Sequence, residues 1–238
     1  MILVPATPQR GSAGDRLLRA LARRGHAVGD APAPSSTVAT LFVCPAHDEP
    51  VPDLRAWREA HAQPAAPRLL LVTRLGTHPD AAHPRLRECW AMEEAARDAG
   101  LPVLVLRLGP LIGPHSPLWA RLRSDPDLPR GGTKLLGPVA EPDVVETLDR
   151  ALRGRAVWEG WYEVAGPEVW SLAELASLAR EVGPALPAGS GAWEPALDEL
   201  AEHGLADAGP WLEHFGMNVR PLVGQAREWA AVPAGSGR

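Results

Sequence analysis

Short apolar segments alternate with amphipathic segments along most of the chain. Residues 68–73 are almost continuously apolar, as expected of a strand that helices cover on both faces. Residues 15–25 place leucines on one side and arginines elsewhere, which predicts an amphipathic helix. Ser171 and Glu174 have the spacing of a capping box, which predicts the start of another helix. By these criteria, strands are predicted at 2–4, 26–28, 37–44, 68–73, 102–108 and 161–165, and helices at 15–25, 52–62, 84–99, 117–124, 141–153, 172–182, 195–204 and 219–231.

Strands and helices that alternate with short connections predict βαβ units around a parallel sheet. The expected fold class is therefore α/β, a three-layer Rossmann-like fold in which ligands bind beyond the carboxyl ends of the strands. We expect this domain over residues 1–165, with 113–135 contributing to a small C-terminal helical subdomain over 166–232. A disordered tail is expected over 233–238.

Composition and charge reduce the number of functional classes to which the chain can belong. The 238 residues carry a formal net charge of −5 and are 45% hydrophobic, which is typical of a globular protein. The arginines are scattered and give no footprint for nucleic acid, and the apolar runs are far shorter than the ~20 residues that span a bilayer. Two cysteines, Cys44 and Cys89, cannot build a disulfide framework, and no charged-then-apolar leader opens the sequence. We expect a cytoplasmic protein that binds a small molecule and neither nucleic acid nor membrane.

Four stretches of the sequence carry a family resemblance. They are RLLRALARRGHAV, RLLLVTRLG, EEAARDAGLPVLVLRLGPLIGP and WYEVAGPEVWSLAELA, and they cover most of residues 1–182. Their order and content resemble the extended and atypical short-chain dehydrogenase/reductases, including the NmrA-like and epimerase-like members. The resemblance implies a Rossmann fold, an NAD(P) cofactor and chemistry on a small-molecule substrate.

The acid–base pair of that family is missing. The family uses a tyrosine to move a proton and a lysine one helical turn later to lower the tyrosine's pKa. These positions fall at about Arg85 and Cys89, and arginine does not lose its proton in proteins. The only tyrosine, Tyr162, and the only lysine, Lys134, are too far apart in the sequence to replace the pair. The sequence therefore predicts a protein without the family's standard hydride transfer.

The glycine loop after the first strand is also altered. The family's three glycines fall at Pro8, Gly11 and Gly14, and proline cannot adopt the positive φ that glycine allows. Asp15 brings a negative charge to a helix N-terminus at which a pyrophosphate would bind. Two interpretations stay open: the loop still binds nucleotide phosphates, or it only joins a strand to a helix. In the first case the contacts are Arg10, Gly11, Ser12 and Gly14.

The resemblance implies further cofactor contacts. Asp30 follows the second strand, where NAD-binding members place an acid on the ribose hydroxyls, although an ordinary loop aspartate also fits. The next predicted strand begins at residue 37, so one βα unit of the family is expected to be deleted. Thr73 occupies the place of a substrate-orienting hydroxyl, or simply ends a strand. Arg107 and Gly109 belong to a turn that approaches the nicotinamide in the family.

Histidines offer an alternative chemistry. His47 and Asp48 follow the third strand and can form an acid–base pair at the mouth of the cleft, or lie in a solvated loop. His78, His83 and His115 are expected near the same edge, but their spacing matches no zinc pattern, so no metal is expected. For a cofactor-free enzyme the working groups would be His47, Asp48, Thr73 and His115.

The nine tryptophans are numerous beside one tyrosine and two phenylalanines. Several of them line an apolar ligand pocket or pack the core and the interfaces. Trp57 and Trp90 lie on helices that correspond to the dimerising helices of the family, which makes a homodimer a hypothesis. The tryptophans expected to wall the cleft are Trp90, Trp119, Trp158, Trp161 and Trp170.

Three functional interpretations follow from the sequence. In the first, the chain is a non-redox descendant of the family that binds a nucleotide or another small ligand as a sensor or regulator. In the second, it is an NAD(P)-dependent oxidoreductase or epimerase-like enzyme with another proton donor. In the third, it uses the old cleft for cofactor-free chemistry.

Overall fold

A parallel six-stranded sheet forms the centre of the computed structural model, which describes residues 2–3, 12–29, 39–43, 54, 59, 68–124, 127–155, 157–182, 200 and 204–231. The strands are β1 (Ile2–Leu3), β2 (Val28–Gly29), β3 (Ala39–Val43), β4 (Arg68–Arg74), β5 (Val103–Leu108), β6 (Leu111–Ile112), β7 (Leu135–Leu136), β8 (Val139–Ala140), β9 (Trp161–Val164) and β10 (Trp170–Ser171). The helices are α1 (Ala13–Arg23), α2 (Pro84–Arg97), α3 (Pro117–Arg123), α4 (Glu141–Leu152), α5 (Leu172–Glu181), α6 (Gly209–Phe215) and α7 (Leu222–Ala231).

The order of strands in the large sheet is β2-β1-β3-β4-β5-β9, and every pairing in it is parallel. The chain adds β2 on one side of β1 and then β3 on the other, so the strand order reverses between β1 and β3. Only residues 30–38 separate β2 from β3, which leaves no room for a further strand with its helix. The predicted α/β class and the predicted shortening of the sheet are both confirmed.

Helices cover the two faces of the sheet and give it three layers. On one face, α1, α4 and α6 pack through residues such as Leu17, Leu148 and Trp211. On the other face, α2 packs through Met92 and Ala96. A separate apolar cluster joins α3, α5 and α7, which belong to the segments predicted to form the small helical subdomain. None of the described helices is long and apolar enough to cross a membrane.

Helix α6 was not predicted, because a Gly-Pro pair opens it and it is only seven residues long. Trp211 of α6 is fully buried, and its Nε1 donates to the Thr147 hydroxyl of α4 at 3.1 Å. Helix α6 therefore packs against the sheet rather than within the small cluster. The domain boundary near residue 166 stays a prediction.

The other predicted elements agree with the structure to within a few residues. Helix α1 begins two residues earlier than predicted because Ser12 is its N-cap. The predicted capping box of Ser171 and Glu174 is confirmed, with both of its reciprocal hydrogen bonds formed. The predicted helices 52–62 and 195–204 and the tail 233–238 lie almost entirely outside the described residues.

Two glycines allow chain segments to cross closely where the sheet meets the small subdomain. The N–H of Gly137 donates to the carbonyl of Gly204 at 2.7 Å, and the N–H of Val139 donates to the carbonyl of Pro110 at 2.9 Å. A Cβ added to Gly204 would lie 1.3 Å from the carbonyl oxygen of Leu135. Only a residue without a side chain fits there, and the backbone carbonyl cannot rotate away.

Gly204→Ala is expected to lower the free energy of unfolding by about 3 kcal/mol or more, because the backbone must shift to admit the methyl group. Gly224 on α7 is the matched control, since nothing lies within 4 Å of its added Cβ. Gly224→Ala should raise stability by about 0.5–1 kcal/mol through helix propensity. Urea unfolding of both variants measures the difference, and equal stabilities would contradict the close crossing.

Helix α1 is held in place by ion pairs to α4. Glu146 accepts hydrogen bonds from Arg150, at 2.7 Å, and from Arg24. His26 Nε2 lies 2.6 Å from Asp149 Oδ1. The hydrogen bonds from Arg150 and Arg24 hold the pKa of Glu146 below its usual value.

A lowered carboxyl pKa adds stability above the unfolded pKa, and that stability disappears as pH falls through the folded pKa. Glu146→Gln should therefore cost about 0.5–1 kcal/mol near neutral pH, since the pair is partly exposed. The difference from the wild type should shrink as pH falls below the unfolded glutamate pKa of about 4.3 and vanish below the lowered folded pKa. Glu213→Gln, at an exposed acid of α6, is the control and should change stability little at either pH. A pH-independent cost for Glu146→Gln would show that the carboxylate charge is not what holds α1.

Candidate functional site

The carboxyl edge of the parallel sheet is the place where this topology forms a crevice, next to the reversal of strand order between β1 and β3. The first turn of α1 lies at this edge because α1 follows β1. Strands β4 and β5 end there at Arg74 and Leu108. The side chains around these termini are therefore the candidate site.

The N-terminus of α1 is compatible with an anionic group. Ser12 caps the helix, and its hydroxyl accepts from the N–H of Asp15 at 3.2 Å. The Asp15 carboxylate bonds to Arg19, one turn further along the helix, at 2.5 Å. This ion pair offsets part of the negative charge that Asp15 brings to the helix terminus. Ser12 and Gly14 are both buried beside this terminus.

A buried ion pair links α1 to α4 just inside the same edge. Arg16 Nε donates to Glu141 Oε2 at 2.9 Å, and the Arg16 side chain is 7% exposed. The Glu141 side chain packs on Gly113, whose added Cβ would lie 2.8 Å from Glu141 Oε2. The pair fixes the first turn of α1 relative to the start of α4.

A second buried network ties α2 to the ends of β4 and β5. Thr73 and Arg107 are direct partners in the parallel register. The Thr73 hydroxyl donates to Glu93 Oε1 at 2.8 Å, Arg107 Nε donates to the same oxygen at 3.1 Å, and Arg107 Nη2 donates to Oε2 at 2.6 Å. Glu93 is 1% exposed. Because the Thr73 proton is given to Glu93, the hydroxyl has only lone pairs to offer any other group.

The hydrogen bonds that Thr73 and Arg107 donate to Glu93 also set the position of the first half of α2. The helix starts after β4 and runs back towards the start of β5, so its N-terminal half extends beyond the carboxyl edge. At 1.5 Å of rise per residue, Cys89 lies about 6 Å and Arg85 about 12 Å further along the axis than Glu93. Cys89 is fully buried, and Arg85 is 6% exposed with its Nη1 2.9 Å from Glu88 Oε2.

Aromatic rings cover the Arg107 guanidinium, so it does not face an open cleft. Its guanidinium carbon lies 4.4 Å from the ring centroid of Trp161 and 5.6 Å from that of Trp90. Trp161 is 54% exposed at the start of the edge strand β9. Cation–π contacts of this kind stabilise the buried Glu93–Arg107 pair from outside.

The tryptophans predicted to wall the cleft are not one cluster. Trp90 and Trp161 flank Arg107, whereas Trp158 packs in the core under α4 and donates its Nε1 to the Ala151 carbonyl. Trp119 and Trp170 belong to the small subdomain. Most of these tryptophans therefore pack the interior, which was the alternative interpretation to a ligand pocket.

The predicted cofactor contacts Arg107 and Gly109 have intramolecular partners. Arg107 is engaged by Glu93, and an added Cβ on Gly109 would lie 2.0 Å from the Gly137 carbonyl oxygen. The close approach of Gly137 thus already requires a glycine at position 109. Contacts of Arg107 or Gly109 with a ligand stay predictions.

The predicted catalytic residues do not come together in the described part of the chain. Thr73 is fully buried, whereas His115 and His78 are exposed. His83 is the N-cap of α2, and its Nδ1 accepts from the N–H of Arg85 at 3.2 Å. Five predicted site residues lie outside the described residues, namely Arg10, Gly11, Asp30, His47 and Asp48. Among the described residues, no group of three or more His, Cys, Asp or Glu side chains is placed to hold a metal ion.

The sequence analysis missed Glu93, Arg16 and Glu141. A glutamate or arginine on an amphipathic helix ordinarily faces water, so nothing in the local pattern distinguishes these three. For Glu93 one indication was available: it lies two turns after Arg85 and one after Cys89, on the side of α2 that also carries Met92 and Ala96.

Neither a protein-family model nor a curated protein matches this chain. Solved structures do. MoeE5 in complex with UDP-glucose and NAD is 17% identical, with a TM-score of 0.63 over 96% of this chain and 97% of that one. WbmG of Bordetella bronchiseptica, in complex with NAD and UDP, is 15% identical, with a TM-score of 0.62 over 96% of this chain and 93% of that one.

The chain has the Rossmann fold of these NAD-bound proteins. A third structure with this fold is TunA, an NAD-dependent NDP-hexosamine 5,6-dehydratase, 13% identical with a TM-score of 0.61 over 96% of both chains. Since the alignments span nearly the whole of each chain, both the sheet and the small subdomain take part in the likeness. At these identities the likeness concerns the fold.

Glu93→Gln is expected to lower the free energy of unfolding by about 3–5 kcal/mol, because it leaves the buried Arg107 without its counter-charge. Glu94→Gln is the control, since Glu94 is the next residue on the same helix and is exposed. Its effect should stay within about 0.5 kcal/mol. Chemical denaturation measures both, and similar effects of the two variants would show that Glu93 does not anchor α2.

Proposed function

We propose that the chain is a degenerate short-chain dehydrogenase/reductase-like protein that binds a nucleotide or another small ligand, as a sensor or regulator, without hydride transfer. The observation that carries the proposal is the identity of the residues on the first turns of α2. Arg85 and Cys89 stand at the positions that match the family's tyrosine and lysine, on the half of α2 that extends beyond the carboxyl edge. A guanidinium cannot accept and return a proton near neutral pH.

The position of the only tyrosine is a second argument for the loss of proton transfer. Tyr162 is the second residue of β9 and pairs in register with Leu106, inside the sheet rather than at its carboxyl end. Its ring stacks on His214, with centroids 4.5 Å apart, and contacts the edge of Phe215. Burial raises the pKa of Tyr162, and the charge of Glu159 adds to the effect. A tyrosine placed in this way does not serve the candidate site.

Ligand binding is supported by the first turn of α1. The Ser12 cap and the Asp15–Arg19 ion pair leave this helix terminus suited to an anion, and an NAD(P) pyrophosphate would be held there, by Gly14 and Ser12 among the described residues. When bound, the cofactor would supply a hydride acceptor or donor. The chain's own residues would orient the cofactor. Neither Arg85 nor Cys89 would move the proton that hydride transfer requires.

An NAD-dependent enzyme with another proton donor is the second candidate function. The likeness to NAD-bound structures favours it, since the alignments span nearly the whole of each chain. Cofactor-free chemistry through Thr73 and His115 has less support, because one of these side chains is fully buried and the other is exposed.

Asp15→Asn is expected to tighten binding of NAD(H) or NADP(H) about two- to fivefold, because it removes a negative charge from the helix terminus that holds the pyrophosphate. Asp98→Asn, at the far end of α2, is the control and should leave the affinity unchanged. Calorimetric titration of the three proteins measures the effect. Absence of heat with every nucleotide would refute nucleotide binding, and steady oxidation of NADPH by a carbonyl compound would favour the second candidate.

A further inference from the structure

We propose that the cluster of α3, α5 and α7 is locked to the parallel sheet and does not close over the carboxyl edge. A ligand at this edge then enters a crevice that is already formed, and the chain responds to it as one cooperative unit. The proposal goes beyond the proposed function, because it rests on the joint between the sheet and the cluster and holds for any ligand.

A joint of this composition is also compatible with a hinge. The sheet and the cluster each have an apolar core. Glycines lie where described segments of the chain meet between the two cores, at Gly109, Gly137, Gly166 and Gly204. Separate cores joined by small residues are typical of domains that move relative to each other. The contacts within the joint distinguish a hinge from a lock.

The short sheet of β6 and β8 belongs to both cores. Its two strands pair in parallel, Leu111 with Val139 and Ile112 with Ala140. Because side chains alternate along a strand, each strand places one residue in each core. Leu111 and Val139 pack in the core under α1, α4 and α6. Ile112 and Ala140 pack in the cluster. Movement of the cluster relative to the sheet therefore disturbs both cores at once.

Backbone hydrogen bonds join the segments of the joint into a continuous series. From the N–H donor to the carbonyl acceptor they run from Gly109 to Val164 and from Val139 to Pro110, both at 2.9 Å, from Gly166 to Pro138 at 2.8 Å, and from Gly137 to Gly204 at 2.7 Å. A hinge motion rotates the backbone at these residues and so breaks several of the bonds. Pro110 and Pro138 each follow one of the glycines, and their rings fix φ.

The glycines of the joint permit close contact and do not provide free rotation. An added Cβ on Gly166 would lie 2.6 Å from the Pro138 carbonyl oxygen, so backbone atoms already fill the space beside this glycine. Residues 104–113 and 136–140 are buried without interruption. Boundaries between mobile domains fall instead in exposed segments that few contacts cross. Burial and close packing therefore favour a lock.

Amide hydrogen exchange of the full-length protein, resolved by NMR and measured without ligand, tests the lock. The amides of the joint, Gly109, Gly137, Val139 and Gly166, and the slowest amides of α3 and α5 are compared with the slowest amides of β4 and β5. A locked joint opens only when the whole chain unfolds, so the protection factors of all three groups should agree within about a hundredfold. Exchange of the joint or of the cluster that is faster than this would overturn the proposal, because it would show that the cluster moves or opens on its own.

Two variants loosen the joint to different degrees. Gly166→Ala forces a methyl group against a backbone carbonyl, and Gly137→Ala is milder, since its added Cβ would lie 3.0 Å from the Ala165 Cβ. Because both cores share the joint, each variant should lower the protection factors of the sheet and of the cluster by a similar factor, about tenfold or more for Gly166→Ala. Gly224→Ala is the control and should lower neither, since nothing lies within 4 Å of its added Cβ.

A loss of protection confined to the sheet or to the cluster would contradict the lock, and so would unchanged protection in both variants. If Gly166→Ala does not fold, Gly137→Ala and the wild type give the result. The exchange experiment contains no ligand, so its failure would leave the proposed function standing. Failure of the nucleotide titrations would likewise leave the lock standing.

Discussion

Glu93 fixes the arrangement of the candidate site. Its two carboxylate oxygens receive three hydrogen bonds, one from Thr73 and two from Arg107, and so join α2 to the ends of two neighbouring strands. A buried carboxylate is stable only with such partners, because its desolvation costs several kcal/mol. Trp161 and Trp90 cover the Glu93–Arg107 pair on its outer side. The hydrogen bonds of Glu93 also set how far α2 extends beyond the sheet. The two turns of α2 before Glu93, which carry Cys89 and Arg85, therefore lie at the carboxyl edge of the sheet.

Those residues are the basis of the proposed separation between fold and chemistry in this chain. The chain has the Rossmann fold of the NAD-bound structures, with a shortened sheet. The family resemblance places Arg85, which is permanently charged, and the buried Cys89 at about the positions of the family's tyrosine and lysine. The proposed function therefore assigns ligand binding, and not proton transfer, to the candidate site.

The fold was largely predictable because its strands are apolar runs and its helices carry their apolar residues along one side. Helix α6 was not, since Gly209 and Pro210 resemble a loop and the helix has too few turns to show a period. The site was predictable only in part. The sequence predicts the loss of the Tyr/Lys pair, whereas Glu93 looks like any acid on an amphipathic helix. The crossing at Gly204 brings together segments far apart in the chain, and no local pattern encodes a long-range backbone contact of this kind.

We propose that this Rossmann domain does not transfer a hydride, and incubation with NAD and a nucleotide sugar is the decisive test. The protein, at a concentration comparable to that of NAD, is mixed with UDP-glucose, the sugar nucleotide bound in one of the similar structures. The absorbance band of reduced nicotinamide is then followed. We expect that no reduced nicotinamide forms. Formation of reduced nicotinamide in proportion to the protein would contradict it and would show that a residue other than Arg85 moves the proton.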